Sequence, residues 1–249
     1  KLEAKRRFYF LEFDKMIPYS NYIVKEKSDR EKLKKDCDYF IVGSDQIWNP
    51  KYYRLNWFDL LEFADDSQKV SYSASFGIDY LPEERIAYTA NQLKSFKKIS
   101  VREYAGKKII EEITGRKDVQ VLLDPTMLIT SNEWEKLIKK PVQLNNLKNN
   151  KYILNYTLGK LSAQQVKEIN RVAIENDCLI INILDKKDPF YKTGPREFLY
   201  LEKNAFLVCT DSFHSSVFAI LFKTPFVVFK RVHKNKIIMN SRIETLLNV

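Results

Sequence analysis

The sequence is short of glycine, proline and histidine. Six glycines and eight prolines among 249 residues exclude a fibrous or low-complexity protein. No apolar run approaches the roughly 18 to 20 residues of a membrane-spanning helix, so no integral membrane protein is predicted. Of the two histidines, His233 lies in the charged stretch RVHKNK and is predicted to be solvated. His214 is therefore the one candidate for histidine chemistry.

Cysteine is also scarce. Cys37, Cys178 and Cys209 are odd in number, scattered and mostly within apolar runs. This pattern indicates buried thiols in a reducing compartment rather than a disulfide framework or a zinc site, and it predicts a cytoplasmic protein. The sequence contains no HExxH, paired CxxC or EF-hand motif. We therefore predict neither a metal nor a cofactor.

The net charge of +10 raises the question of an anionic partner. The basic residues are spread along the chain without a compact basic and aromatic module, so nucleic-acid binding is not predicted. Anionic substrates or an anionic membrane surface explain the charge equally well. The basic, aromatic segment KRRFYFLEFDKMI is compatible with peripheral membrane association, although such a segment more often docks on its own domain.

The chain is expected to be a trimmed piece of a longer one, because it begins with a helical pattern and has no initiator Met or signal peptide. Apolar runs and amphipathic stretches then alternate throughout, which predicts an α/β fold. Strands are predicted at 39–44, 69–75, 97–101, 119–124, 152–158, 178–184, 206–211 and 225–229. Helices are predicted at 82–96, 102–115, 131–140, 162–177, 194–205, 214–222 and 240–248. A polar stretch at 141–151 is the candidate linker.

The first loop of interest, GSDQIWNP, follows the strand YFIV. Gly43 allows a tight turn or a close backbone approach. Ser44, Asp45 and Gln46 are polar groups just beyond a buried strand, where ligands bind in such folds. A turn that only caps the strand explains these residue types equally well.

The second loop, SVREY, places Arg102 at a junction of strand and helix. A guanidinium there can bind a carboxylate or a phosphate through two parallel hydrogen bonds. The alternative is a surface arginine paired with Glu103 or another neighbour.

The third loop follows the strand FLVCTD, which ends at Asp211. Ser212 begins the turn, and His214, Ser215 and Ser216 begin a helix. The first helical turn carries unpaired N–H groups and about half a positive charge, so it favours anions. Two serine hydroxyls add donors there. The alternative is a histidine that only satisfies a buried carbonyl, and a site is the preferred interpretation.

Six stretches resemble the polysaccharide pyruvyl transferase family in their order and approximate spacing: DYFIVGSDQIWNP, VSYSASFG, ISVRE, LLDPTMLI, GPREFLYLEKNA and TDSFHSSVFAI. The resemblance runs from about Asp36 to Leu247. It implies two Rossmann-like domains similar to the GT-B glycosyltransferases, with the active site between the halves. It also implies transfer of an enolpyruvyl-derived group from phosphoenolpyruvate to sugar hydroxyls, giving a pyruvate ketal on a cell-surface glycan or its precursor.

The resemblance implies a domain at 1–145 on the acceptor side, expected to be incomplete, and one at 146–249 on the donor side. Arg102 matches the family's basic residue in the first half, and His214 matches its histidine in the second. Many members have an arginine at the position of Ser212. This chain therefore lacks one anion ligand that those members have.

The implied mechanism has Ser215 and Ser216 holding one anionic group of the donor, with Ser212 as a further donor-binding candidate, and Arg102 clamping the other group. Protonated His214 would donate to the donor's methylene carbon, and Asp211 would orient the imidazole. On the acceptor side the candidate residues are Ser44, Asp45, Gln46 and Ser75.

Two alternatives remain open at this stage. A glycosyltransferase that uses a sugar nucleotide could have the same architecture, because a fold does not fix a function. A non-catalytic glycan-binding relative is the other, and Ser212 favours it slightly.

Overall fold

The computed structural model describes residues 2–20, 22–25, 33, 37–52, 54–146, 151–230, 232–233, 236–237 and 241–248. Over these ranges the fold is α/β, with two parallel four-stranded sheets and eight α-helices. The predicted α/β fold class is confirmed, and the two parallel sheets are compatible with Rossmann-like folds.

The first sheet has the strand order β1-β2-β3-β4, and all its pairs are parallel. Its strands are β1 (Phe40–Val42), β2 (Lys69–Ala74), β3 (Lys98–Val101) and β4 (Gln120–Val121). Each falls within a predicted strand, because runs of apolar and β-branched residues suit a sheet that is covered on its faces.

Three helices accompany this sheet: α2 (Glu83–Lys94), α3 (Tyr104–Thr114) and, near the end of the chain, α8 (Ser241–Leu247). Gly115 ends α3 at a φ of 77°, the left-handed conformation predicted for this C-cap. The core contains Trp48, Phe76 and Ile110, each fully buried. Burying such side chains stabilises the fold by roughly 1.5–3 kcal/mol each.

The second sheet has the order β6-β5-β7-β8 and is also parallel. Its strands are β5 (Tyr152–Tyr156), β6 (Leu179–Asn182), β7 (Leu207–Thr210) and β8 (Phe226–Val228). From β5 the chain passes first to β6 on one side, and β7 then pairs on the other side. The carboxyl ends of β5 and β7 therefore form a topological switch point, where ligands bind in open α/β sheets.

Helices α1 (Leu2–Asp14), α4 (Ser131–Glu135), α5 (Ala163–Glu175), α6 (Pro195–Asn204) and α7 (Phe213–Phe222) accompany the second sheet. Two predicted details of α4 were wrong. Its N-cap is Thr130 rather than Ser131, because the Thr130 hydroxyl accepts from the N–H of Glu133 in a capping box. It also ends at Glu135, five residues earlier than predicted.

The basic segment at the start of the chain forms α1 and docks through Arg6. Its guanidinium donates to the carbonyls of Ile183 and Tyr191, at 3.0 and 2.9 Å, and lies over the Tyr191 ring. Two interpretations of this segment were considered, peripheral membrane association and docking on its own domain, and docking is the more common of the two. No helix in the described ranges is long and apolar enough to cross a membrane.

A short antiparallel pair, β9 (Val232–His233) and β10 (Lys236–Ile237), was not predicted. It includes the backbone of His233, whose side chain lies outside the described part of the structure. In the candidate linker, Val142–Asn146 forms a 3-10 helix with Leu144 buried, and residues 147–150 lie outside the described ranges. Cys209 is buried as predicted, whereas Cys37 is exposed.

The chain forms two compact units. The β1–β4 unit comprises Ser20–Leu128 and Met239–Val249, and the β5–β8 unit comprises Lys1–Tyr19 and Ile129–Ile238. The β1–β4 unit thus includes the last segment of the chain, and the β5–β8 unit includes the first. The division into domains at 1–145 and 146–249 stays a prediction.

Candidate active site

Asp211 lies at the switch point of the second sheet. One carboxylate oxygen accepts from the N–H of Leu158 at 2.7 Å, and the other accepts from the N–H of Gly159 at 2.8 Å. Leu158 and Gly159 belong to the loop that follows β5, while Asp211 follows β7. Because hydrogen bonds to an ionised acceptor are strong, Asp211 ties these two loops together at the sheet edge.

The first turn of α7 is held by its own serines. Ser212 is the N-cap, and its hydroxyl accepts from the N–H of Ser215. The Ser216 hydroxyl donates to the carbonyl of Ser212 at 2.9 Å, and all three serines are buried. The serine hydroxyls predicted to hold an anion therefore make internal hydrogen bonds that shape the turn.

A buried carboxyl group, Glu202 of α6, lies against this turn. The Ser215 hydroxyl donates to its Oε1 at 2.5 Å, and Oε2 is buried without a hydrogen-bond partner. Burial raises the pKa of Glu202 to about 8, because a charged carboxylate is poorly solvated there. Glu202 is therefore largely neutral near pH 7.

His214 is the second residue of α7 and is half-buried, between the buried residues Phe213 and Ser215. Its ring contacts the Phe213 ring edge-to-face, with 5.4 Å between centroids. The helix start directs a positive dipole at this position. The arrangement places an imidazole, the side chain suited to proton transfer near neutral pH, at the switch point of the sheet.

Arg102 lies in the β1–β4 unit, just after β3, and its side chain is only 1% exposed. Nη1 donates to Asp124 Oδ2 and Nη2 donates to Asp45 Oδ1, each at 2.8 Å. It is thus a buried arginine between two carboxylates rather than a surface one. Its role as an anion clamp stays a prediction.

Asp124 follows β4 and is fully enclosed. Its Oδ2 accepts from Ser44 Oγ at 2.9 Å as well as from Arg102. Its Oδ1 accepts from the N–H and the hydroxyl of Thr126, at 3.1 and 2.8 Å. Both carboxylate oxygens are therefore held by hydrogen bonds, and Asp124 is a buried counterion of Arg102.

Asp45 differs from Asp124 because its side chain is half exposed. Its Oδ1 accepts from Arg102 and also from Nη1 of Arg242 at 3.3 Å. Arg242 comes from α8 and is itself buried. Residues that follow β1 and β3 thus meet a residue from near the end of the chain.

Glu103, the neighbour of Arg102 in the sequence, is hydrogen-bonded to the loop that follows β2 and begins with Ser75. Oε1 of Glu103 accepts from the Ser75 hydroxyl and from the N–H groups of Phe76 and Gly77, at 3.0, 3.0 and 3.3 Å. Burial raises the pKa of Glu103, since the side chain is enclosed. Glu103 therefore organises the loop that follows β2, and Ser75 faces this carboxyl group.

The GSDQIWNP loop is shaped by close backbone approach. A Cβ on Gly43 would lie 2.0 Å from the carbonyl oxygen of Tyr72, a distance that no side chain tolerates. Gln46 adopts a φ of 46°, and its Oε1 accepts from the side chain of Asn49 at 2.7 Å. The predicted close approach at Gly43 is confirmed.

Three important residues were missed by sequence reasoning: Asp124, Glu202 and Arg242. Glu103 was considered only as a possible partner of Arg102. Asp124 had a usable signal, because it ends an apolar strand as Asp211 does. Glu202 had a weaker one, as a charged residue directly after the buried Leu201. Nothing in the local sequence marked Arg242, whose partner Asp45 is 197 positions away.

The two parallel sheets define an α/β protein with polar and ionisable groups at the carboxyl ends of its strands, where ligands bind in open α/β sheets. The model of the polysaccharide pyruvyl transferase family matches residues 4–231, nearly the whole chain. The chain therefore belongs to the polysaccharide pyruvyl transferase family, which makes it a transferase with a small-molecule donor and a glycan acceptor. No curated protein sequence matches it.

Proposed function

We propose that this protein transfers the enolpyruvyl-derived group of phosphoenolpyruvate to sugar hydroxyls, forming a pyruvate ketal on a cell-surface glycan or its precursor. The family membership supports transfer of a pyruvyl group. We assign the chemistry from one observation, the position of His214. This histidine is half-buried in the first turn of α7, at the switch point between β5 and β7.

The proposed first step is proton donation by the His214 imidazolium to the methylene carbon of the donor. The carbon–carbon double bond becomes a methyl group, and the adjacent carbon becomes an oxocarbenium-like centre. A first sugar hydroxyl adds to that carbon and releases its proton, which returns to His214. Acid catalysis of this kind typically contributes about 10²- to 10⁴-fold.

The second step replaces the phosphate. The bond between the central carbon and the phosphate oxygen breaks, and a neighbouring hydroxyl adds to the same carbon to close the ketal. The proton of this second hydroxyl leaves with the phosphate. The products are the ketal and inorganic phosphate, and the imidazolium is regenerated without a cofactor.

The experiment that tests this proposal measures phosphate release from phosphoenolpyruvate in the presence of a panel of glycans with neighbouring hydroxyls. We expect wild-type turnover to be lost in His214→Ala, with a reduction of at least about 10²-fold. His233→Ala is the matched control, because it removes the only other histidine. Equal turnover by His214→Ala and wild type would remove the histidine from the mechanism.

The same assay separates the alternatives. Transfer from a sugar nucleotide, with nucleoside diphosphate released and phosphoenolpyruvate ignored, would assign glycosyl transfer instead. Saturable glycan binding without turnover of any donor would indicate a non-catalytic relative. That alternative is supported by the serines at the start of α7, whose hydroxyls are used in hydrogen bonds within the protein.

The proposal also includes the GT-B-like architecture, with which two parallel sheets are compatible. It includes a cytoplasmic location at the inner face of a membrane, where a lipid-linked acceptor would be available. Three free cysteines are compatible with a reducing compartment. Fractionation of cells that express the protein, with and without high salt, would test the peripheral association.

A further inference from the structure

A buried carboxyl group lies against the turn that carries His214, and the proposed mechanism does not use it. Glu202, on α6, is completely buried and accepts a hydrogen bond from the Ser215 hydroxyl at 2.5 Å. Ser215 directly follows His214 in α7. The carboxyl group is therefore one hydrogen bond and one residue away from the candidate catalytic histidine.

Ser215 is held at both of its polar groups. Its hydroxyl donates to Oε1 of Glu202, and its N–H donates to the hydroxyl of Ser212, the N-cap of α7. The same turn is closed by Ser216, whose hydroxyl donates to the carbonyl of Ser212. The contact with Glu202 ties this turn to a second helix, α6, and so limits how far the turn can shift.

The second oxygen of Glu202 has less support. Oε2 is buried and has no hydrogen-bond partner among the described residues. Burial raises the pKa of Glu202 to about 8, and the hydrogen bond from Ser215 opposes that rise only in part. Near pH 7 the carboxyl group is therefore mostly neutral. Its ionisation would place a charge with a single hydrogen bond inside the unit, which is costly.

The groups around Glu202 do not supply a cation for that charge. Tyr152 of β5 lies close to Glu202: burial raises the pKa of its phenol, and Tyr200 and Glu202 add to the rise. Lys203, the next residue of α6, pairs with Glu135 of α4 at 2.7 Å. Among the described residues, an ionised Glu202 would therefore be met by hydroxyl groups rather than by a counterion.

We propose that Glu202 is a positioning residue for His214, and that it acts through Ser215 by holding the first turn of α7. The neutral carboxyl group keeps this turn, and with it the imidazole, in one arrangement. An ionised carboxylate with few partners in the interior recruits water or moves towards it, and either change disturbs the turn. The inference rests on the proposed function only for the use of the imidazole as an acid.

The test is an NMR titration of the imidazole between about pH 5 and 10. It uses His233→Ala, so that His214 gives the only histidine signal. We expect two inflections in the His214 signal, one from the ring itself and a second near pH 8, where Glu202 loses its proton. Adding Glu202→Gln, a neutral side chain of the same shape, should keep the first inflection and abolish the second. A single inflection without that change would overturn the proposal.

Glu197→Gln is the matched control for the titration. Glu197 is the other buried carboxyl group of α6, and it pairs with Lys139 at 3.5 Å. In the same His233→Ala background this variant should keep both inflections. Loss of the second inflection in the control as well would point to a general effect on the packing of α6, and the specific role of Glu202 would be wrong.

Ser215→Ala tests the route from Glu202 to His214, and it decides the matter if Glu202→Gln does not fold. Removing the hydroxyl takes away the contact between α6 and the first turn of α7. The second inflection of the His214 signal should therefore become smaller. An undiminished inflection would show that the carboxyl group reaches the imidazole without Ser215, and it would overturn the proposed route.

Turnover gives a second readout. Per folded molecule, Glu202→Leu should lower kcat for phosphate release about tenfold and leave the donor KM unchanged, because a misplaced acid slows the chemistry rather than the binding. Glu202→Gln, which keeps an acceptor for Ser215, should restore most of that loss. Unchanged kcat in Glu202→Leu, or a rise in KM alone, would contradict the positioning role. If wild type releases no phosphate, the proposed function fails, whereas the titration still decides the role of Glu202.

Discussion

The hydroxyl of Ser215 donates a 2.5 Å hydrogen bond to the buried carboxyl group of Glu202. This contact joins α6 to the first turn of α7, one residue from His214. It makes an acidic side chain part of the structural support of the candidate catalytic histidine. Stability and activity in this part of the molecule are therefore expected to respond to the same carboxyl group.

Glu202 is expected to make stability depend on pH. Its pKa is about 8 in the folded protein against an ordinary value of 4.5, so the folded state holds the proton more tightly. Its contribution is fully present below about pH 4.5 and is lost as pH rises towards 8. Relative to Glu202→Gln, the free energy of unfolding of wild type should fall from pH 5 to 8 and then level off.

Chemical denaturation of both proteins between pH 5 and 9 measures this difference. Glu202→Leu, which removes the acceptor for Ser215, should be less stable than Glu202→Gln at every pH. A wild-type curve parallel to that of Glu202→Gln over the whole range would show that Glu202 does not titrate there.

Asp211→Asn is expected to destabilise the protein by about 2 kcal/mol. The amide nitrogen of asparagine cannot accept from the N–H of Leu158 or Gly159, so one charge-assisted hydrogen bond is lost and the other is weakened. Denaturant unfolding gives the change, with Asp79→Asn as a surface control. A loss below about 0.5 kcal/mol, the usual range of surface changes, would mean that the two loops are held together by other contacts.

Gly43→Ala and Gly115→Ala should differ strongly. Gly115 has a φ of 77° but nothing near its missing Cβ, so alanine should cost about 1 kcal/mol. At Gly43 the new Cβ would overlap the Tyr72 carbonyl oxygen, and the strand ends would have to separate. We expect a loss of about 3 kcal/mol or more there. Melting temperatures of the two variants compare the effects directly, and equal shifts would contradict the close approach.

Asp124→Asn tests the buried ion pair with Arg102. Removing one partner leaves a guanidinium enclosed with less compensation, which typically costs about 3–5 kcal/mol. The matched control is Asp118→Asn, whose partner Arg116 lies at 2.7 Å but whose own side chain is 48% exposed. That change should cost less than about 1 kcal/mol. Similar unfolding free energies for the two variants would argue against Asp124 as an energetically important counterion of Arg102.

The sequence allowed the eight strands of the two parallel sheets and most helices to be predicted, because their signals are local. Apolar runs marked β5 and β7, and Gly115 marked the end of α3 through its own conformational freedom. The end of α4 was missed by five residues, because a helical pattern does not say which turns tertiary packing will retain. His214 was identified from its place between a strand and a helix, which is also a local feature.

The polar contacts could not be predicted in the same way. Ser215 and Ser216 look from the sequence like donors at a helix start, yet their hydroxyls are used within the protein. Glu202 is 13 positions from Ser215, and Arg242 is 197 positions from Asp45. Such pairs depend on how distant segments pack, and no spacing rule within a helix or a strand specifies them.

The inclusion of residues 239–249 in the β1–β4 unit has a consequence for synthesis on the ribosome. Asp45 and Arg102 are made early, whereas Arg242 is made only after the whole β5–β8 sheet has been translated. Contacts between such distant residues form late, because long loops must close first. The nascent β1–β4 unit therefore spends most of translation with Arg102 but without Arg242 beside Asp45, and the buried Arg242 joins it last.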